Sequence, residues 1–284
     1  MPALPAPHTL PLPEAGQDGD TRDNSYVLGH HGFIYTGSQL ASGVTVRHPA
    51  VLLLSADYAP FRLSLREGAT LHAAAVLVAP LVARSLDARG VPLLSLNILP
   101  SHPAFHVFRA MQHPGAVALD RHAFKPLDED MAAVHRGTVT IEQAENLFEA
   151  VVAEAGHQLP PAPAPDPRAL ELIRRLDANP HLSLDDLARQ FGYSQQVMSR
   201  LFSSAVGMSV RDYHNWLKQR RVYDVLYTPR SLTQVAYSAG FADSPQFSRT
   251  FQRWYGLTPS FARNPKAVRV FIHGGSNEPH TPGG

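Results

Sequence analysis

The chain has no cysteine. That absence excludes disulfides, zinc fingers, iron–sulfur ligation and any cysteine nucleophile. Long apolar runs are also missing. The longest, residues 73–83, is interrupted by Pro80 and falls short of the roughly 20 residues that cross a bilayer. The N-terminal 20 residues lack a basic segment followed by an apolar core, so no signal peptide is expected. Rich in proline and acids, residues 1–24 read as a disordered arm. These gaps predict a cytoplasmic protein with no membrane segment, no metal and no cofactor. An excess of charge is lacking as well, with a formal net charge of +1. That balance conceals a split. Residues 1–165 hold 10 Lys+Arg against 15 Asp+Glu, whereas residues 166–272 hold 15 against 8, a local net of +7. A basic half of this kind fits a polyanionic partner.

At 284 residues the chain is long enough for two domains, each with its own core. Between Tyr26 and Leu99, short apolar runs (Ala50 to Ser55, Phe61 to Leu65, Ala74 to Val78, Pro92 to Ile98) alternate with turn-forming residues. This spacing predicts a small antiparallel barrel or sandwich. Helices are predicted at Leu127 to His135 and Thr140 to Ala155. The second carries Ile141, Ala144, Leu147, Phe148, Val151 and Val152 on one stripe, which packs either on its own barrel or across a homodimer. Five prolines between Leu159 and Pro167 then mark an extended spacer. The expected order is an arm at 1–24, a sensory and dimerisation domain at 25–156, a linker at 157–167, a helical domain at 168–266 and a tail at 267–284.

Within the basic half, one segment is written twice. Ala188, Gly192, Ser199, Arg200, Phe202 and Gly207 recur as Ala236, Gly240, Ser248, Arg249, Phe251 and Gly256, offset by 48 and then 49. Each copy opens with a capping box, Ser183 to Asp186 and Ser231 to Gln234. Gly192 and Gly240 stop the first helix of each copy, and Ser194 and Asp243 start the next. Helix, glycine turn, helix is the helix-turn-helix pattern. On the second helix of copy one, Val197, Met198, Leu201 and Phe202 form the predicted inward stripe, leaving Gln195, Gln196, Ser199 and Arg200 outside. In copy two Phe247, Thr250 and Phe251 point inward and Ser244, Pro245, Gln246, Ser248 and Arg249 outward. Amides, hydroxyls and arginines are the side chains that pair with base edges. A third box at Ser209 to Asp212 opens a linking helix to about Leu226, about 27 Å long, close to one DNA turn. Ser194, Lys218, Arg220, Arg221, Arg253 and Arg263 are assigned to phosphates.

Asp186-Leu-Ala-x3-Gly192, Ser199-Arg200-Leu-Phe202-x4-Gly207 and Tyr213, followed by Val235-Ala-x3-Gly240-Phe241, Phe247-Ser-Arg249-x-Phe251-x4-Gly256-x-Thr-Pro259, resemble the DNA-binding domain of AraC/XylS-type transcriptional regulators. The resemblance covers roughly residues 168–266. It implies an α+β protein: an N-terminal cupin-like β-barrel with following helices, then an all-α domain of two helix-turn-helix units joined by a linker helix. It further implies double-stranded DNA as partner, with base contacts from Gln196, Ser199, Arg200, Ser244, Pro245, Gln246 and Arg249. A small-molecule effector, RNA polymerase and a homodimer partner are implied too, for an activator that is not an enzyme. Gln196 stands where many members carry arginine or another large residue, and Pro245 where many carry a polar one, so the operator is this chain's own.

Cupin enzymes hold a metal with a His-x-His pair and a later histidine. The corresponding segments here are Val46-Arg-His48 and Pro80 to Arg84, which leaves a single histidine and no metal site. His48, Arg47 and Arg84 are instead the expected effector-pocket residues, suited to an anion, with Arg89 nearby. His30 and His31 are adjacent and would face opposite sides of a strand. Asp128-Glu129-Asp130 opens a helix, where the dipole accounts for acids. The alternative function is a cupin-type enzyme or small-molecule-binding module with an appended nucleic-acid-binding domain.

Overall fold

The computed structural model describes residues 24–272 apart from 30, 67, 112–114, 165, 180 and 265. The arm at 1–23 and the tail beyond 272 lie outside the described residues. Seven strands come first: β1 (Asn24–Leu28), β2 (Gly32–Thr45), β3 (Ala50–Ser55), β4 (Phe61–Leu65), β5 (Thr70–Ala73), β6 (Ala75–Val78) and β7 (Arg84–Ile98). A short helix α1 (Phe105–Arg109), strand β8 (Ala116–Ala118), a 3-10 turn at Arg121–Leu127 and helices α2 (Asp128–Arg136) and α3 (Ile141–His157) complete the N-terminal half. The C-terminal half is helical: α4 (Pro167–Ala178), α5 (Leu184–Phe191), α6 (Gln195–Val206), α7 (Val210–Leu226), α8 (Leu232–Ser238), α9 (Ser244–Tyr255) and α10 (Pro259–Ala262). The chain ends its described course in strand β9 (Val268–Ile272).

The strands form one sheet in the order β8-β6-β3-β7-β2-β1-β9, with β4 pairing β5 and β7. Its two ends do not meet, so this is an open sheet and not the closed barrel expected from the sequence. The reason lies in the long strands. β2 and β7 run side by side over most of their length, with bulges between Gly37 and Gln39 and between Ser42 and Thr45. β7 then pairs with β3 over its C-terminal half and with β4 over its N-terminal half. Every β3 residue is buried, as a central strand covered on both faces requires. Leu52 and Leu54 join one apolar cluster with Phe108, Met131, Leu147 and Val151, while Val51 and Leu53 join Leu63, Val76 and Leu93 on the other face. The stripe of α3, including Leu147, Phe148, Val151 and Val152, is buried within this chain. It is the sheet cover, not a free dimer face.

Local signals placed the helices well. Thr140 caps α3 in a full capping box with Gln143, and Asp128, Glu129 and Asp130 occupy the first turn of α2, where carboxylates offset the exposed N–H groups. Asp166 caps α4 and Pro167 is its first residue, so the spacer closes one residue earlier than its proline count suggested. The tail departs most. Val268–Ile272 pairs in parallel with β1, and Asn24 Nδ2 donates to Ala267 O at 3.2 Å. The helical half is therefore stitched to the sheet at its C-terminal end.

Candidate nucleic-acid interface

Both helix-turn-helix units are built by local rules. Ser183 and Ser231 form reciprocal capping boxes with Asp186 and Gln234. Gly192 and Gly240 adopt positive φ of 67° and 86°, a conformation open to glycine at no steric cost. Ser194 and Asp243 accept the Val197 and Gln246 backbone N–H groups as caps of α6 and α9. Ser209 caps α7 likewise, but Asp212 answers with a bond from the Ser209 hydroxyl at 2.6 Å and not from its backbone N–H. α7 has 17 residues, about 26 Å of axis.

On α6, Met198, Phe202 and Val206 are buried while Gln196, Arg200 and Ser204 are exposed and Ser199 is half-buried. Val197 is 47% exposed, which corrects its place in the inward stripe. The buried set runs at i, i+4 and i+8 from Met198, and Val197 sits about 100° away from it, beside Arg200. Gln195 is exposed but engaged: its Nε2 donates to Asp185 Oδ1 at 3.0 Å, bridging the two helices of the unit. On α9, Phe247, Phe251, Trp254 and Tyr255 are buried, whereas Pro245, Gln246, Arg249 and Arg253 are exposed. Ser244, Ser248 and Thr250 are half-buried. Gln246 Oε1 accepts the Ala242 N–H at 3.0 Å, so this amide also braces the turn.

The cations assigned to phosphates differ in freedom. Arg253 is exposed one turn beyond Arg249, while Lys218 and Arg221 are half-buried on α7. Arg220 lies 3.8 Å from Asp177. Arg263 is committed: it donates to Arg230 O at 2.7 Å and to Thr228 O at 3.0 Å, closing the loop after α7. Two of its five N–H donors thus hold the chain itself.

The three residues expected to line an effector pocket separate. Arg47 and Arg84 both line a cavity of about 40 Å³, about the space of one water or the head of a small anion. Leu53, Leu63 and Ser95 from the sheet and Tyr255 and Leu257 from the second unit also line it. Arg84 is 4% exposed, and its guanidinium donates to Val82 O at 3.3 Å. Burial, reinforced by the Arg47 charge, pushes Arg84 well below the usual arginine range. His48 is absent from this cavity. It is 6% exposed and its Nδ1–H donates to Gln219 Oε1 at 2.9 Å in the middle of α7. Burial holds the His48 imidazole below its ordinary pKa, partly offset by that bond. Gln219 in turn donates to the Tyr255 hydroxyl, which meets that of Tyr223. Arg89 is exposed and paired with Asp87 at 2.8 Å. A larger cavity of about 290 Å³ opens between β2 and α3, lined by His31, Phe33, Phe148 and Glu149.

These contacts join the halves. Phe33 lies 5.0 Å from Tyr223 and 6.2 Å from Tyr255 between ring centres, and Tyr26 lies 6.5 Å from Tyr227. Arg47 Nε donates to Trp254 O at 2.9 Å, Val46 N to Arg253 O at 3.3 Å and Arg109 Nη1 to Ser204 O. No sequence signal announced them, because each pairs residues far apart along the chain.

Residues 187–264 match the helix-turn-helix domain family. Over 80 residues the chain is 28% identical to the Msm operon regulatory protein of Streptococcus mutans, covering 28% of this chain and 29% of that protein. Over 87 residues it is 32% identical to the HTH-type transcriptional regulator ExsA of Pseudomonas aeruginosa, covering 29% of this chain and 30% of that protein. The match thus spans less than a third of either relative's length. The crystal structure of ToxT from Vibrio cholerae is similar in fold, with a TM-score of 0.52 at 12% identity over 80% of this chain and 94% of that one. ToxT has also been solved with an unsaturated fatty acid bound.

Proposed function

We propose, from the premise that residues 187–264 form a helix-turn-helix domain of AraC type, that the whole chain is a sequence-specific DNA-binding transcriptional regulator responsive to a small molecule. One observation carries this reading: each unit offers a capped, rigid helix whose exposed side is a guanidinium, Arg200 or Arg249, flanked by an amide. Arginine reads guanine and glutamine reads adenine in the major groove. Base contacts are assigned to Gln196, Ser199, Arg200, Ser244, Pro245, Gln246 and Arg249, with Gln195 secondary because Asp185 holds it. Val197 joins them as an apolar contact for a thymine methyl group. Phosphate contacts fall to Ser194, Lys218, Arg220, Arg221 and Arg253.

The N-terminal half is proposed as a cupin-like sensory domain whose effector is an anion. Arg84, buried, bonded to the Val82 carbonyl and facing the charge of Arg47, favours an anionic head over a neutral one. Tyr255 and Leu257 form part of the cavity wall, so occupancy is expected to bear on the second unit. The bound fatty acid of ToxT is consistent with a carboxylate. Activation through RNA polymerase, a homodimer and a cytoplasmic site complete the proposal. Selection of bound sequences from random DNA by the purified chain tests it: a recurrent site with guanines lost on Arg200→Ala or Arg249→Ala is expected. Uniform binding across sequences at all salt concentrations would overturn it.

A further inference from the structure

The repeat is read twice, once by its exposed face and once by the N-terminal half. Ser204 and Arg253 are equivalent positions of the two copies, as are Gly207 and Gly256, each pair 49 residues apart. The Ser204 carbonyl accepts a bond from Arg109 of α1. The Arg253 carbonyl accepts one from Val46 N at 3.3 Å, with Arg47 on the adjacent Trp254 carbonyl at 2.9 Å. The glycines follow the same equivalence. Both end their helices at positive φ, 76° and 74°, and both admit the N-terminal half at close range. A Cβ at Gly207 would lie 3.0 Å from Arg109 Cδ, and one at Gly256 2.8 Å from Ser42 Cβ. Last-turn carbonyls carry the negative end of the helix dipole and have no partner inside the helix. Half-buried N–H and guanidinium donors of the N-terminal half satisfy them here.

We infer that the N-terminal half grips both reading helices at equivalent C-terminal points, and that this grip, with Arg109 as the positioning residue of the first unit, sets the separation and angle of α6 and α9. The inference rests on the reading of α6 and α9 as DNA readers. A single helix, α7, joins the units, and a lone connector tolerates bending and twisting at its ends. Three supports remove that freedom: Arg109 on α6, His48 through Gln219 on α7, and Val46 with Arg47 on α9. Half-site spacing becomes a property of the whole chain. One inserted base pair moves a half-site by about 3.4 Å and turns it by about 34°, more than a gripped pair of helices can follow.

The absence of native cysteine permits a direct measurement. Ser203→Cys and Gln252→Cys, again equivalent positions, are spin-labelled in the full chain without DNA. A narrow distance distribution is expected, broadening at least twofold in width with Arg109→Ala and recovering with Arg109→Lys. On an operator selected by the full chain, one added base pair between half-sites should cost the parent about tenfold or more in Kd, and Arg109→Ala less than threefold. Equal widths, or equal spacing penalties, in the parent and Arg109→Ala overturn the inference. If Arg109→Ala fails to fold, Arg109→Met, which keeps the apolar stem but no donor and no charge, replaces it and is held to the same two outcomes. Failure to select any operator would instead sink the DNA-reading function, while the label distances would still decide the grip.

Discussion

Replacing Val197 by alanine isolates one contact of the proposed interface. Complete burial of a valine side chain is worth about 1.5–3 kcal/mol. With 47% of Val197 exposed in the free chain, covering it on DNA is worth about 0.7–1.4 kcal/mol, or about three- to tenfold in Kd. Folding should survive the change, because the exposed half is already in water and alanine is the better helix former. Its stability is expected within about 0.5 kcal/mol of the parent. The assay is a cycle on a selected operator, with each thymine replaced in turn by uracil, which lacks only the C5-methyl group. One thymine should be sensitive in the parent, by about fourfold for a single methyl. That sensitivity should vanish in Val197→Ala. If Val197→Ala shows the same loss on uracil substitution as the parent, or if no thymine is sensitive, the contact does not exist.

Arg249→Ala should weaken binding by about 1–3 kcal/mol at the operator with little effect on random DNA. Arg253→Ala should weaken both alike and lower the slope of log K against log salt by about one, which titrations at several salt concentrations will read. Gln219→Leu strips a partner from two buried groups, the His48 N–H and the Tyr255 hydroxyl. The Tyr255 hydroxyl keeps Tyr223 and the His48 N–H is left alone, so at about 1–3 kcal/mol for an unsatisfied group urea unfolding should show a loss of about 1–3 kcal/mol, and a loss under about 0.5 kcal/mol would contradict the network. Acid should loosen the same junction. The folded pKa of His48 is depressed by burial, so as pH falls below about 6.5 the unfolded chain takes up a proton that the native imidazole refuses, and stability declines. Thermal unfolding between pH 7.5 and 5.5 should show this slope. His48→Gln should reduce it without abolishing it, because His102 and His214 are shifted in the same direction.

Legibility followed the range of the interactions. The capping boxes at Ser183 and Ser231 and the helix stop at Gly192 were visible in the sequence because each is settled within a few residues. The strands Ala50–Ser55 and Phe61–Leu65 were visible for the same reason, as compact apolar runs between turns. Val197 was misplaced because an apolar residue next to Met198 satisfies a loose helical stripe, and only the spacing of Met198, Phe202 and Val206 shows which direction is inward. Arg84 read as a pocket cation with no sign of its depth, and Val268–Ile272 as a tail, since neither the burial of a guanidinium nor a strand that pairs with β1 some 240 residues away carries a local mark.

The sequence by itself determined the two units, their caps, their glycine turns and the basic charge around them, because helix starts, stops and amphipathic faces are enforced by neighbours three or four residues apart. Only the tertiary structure decided that the sheet stays open, that His48 bonds to the linker helix and stands apart from the cavity of Arg47 and Arg84, and that Gly207 and Gly256 meet the N-terminal half as well as ending their helices. The physical reason is one of distance along the chain. A donor such as Arg109 meets the Ser204 carbonyl only after the two halves have packed, and nothing in the residues beside either one records that meeting.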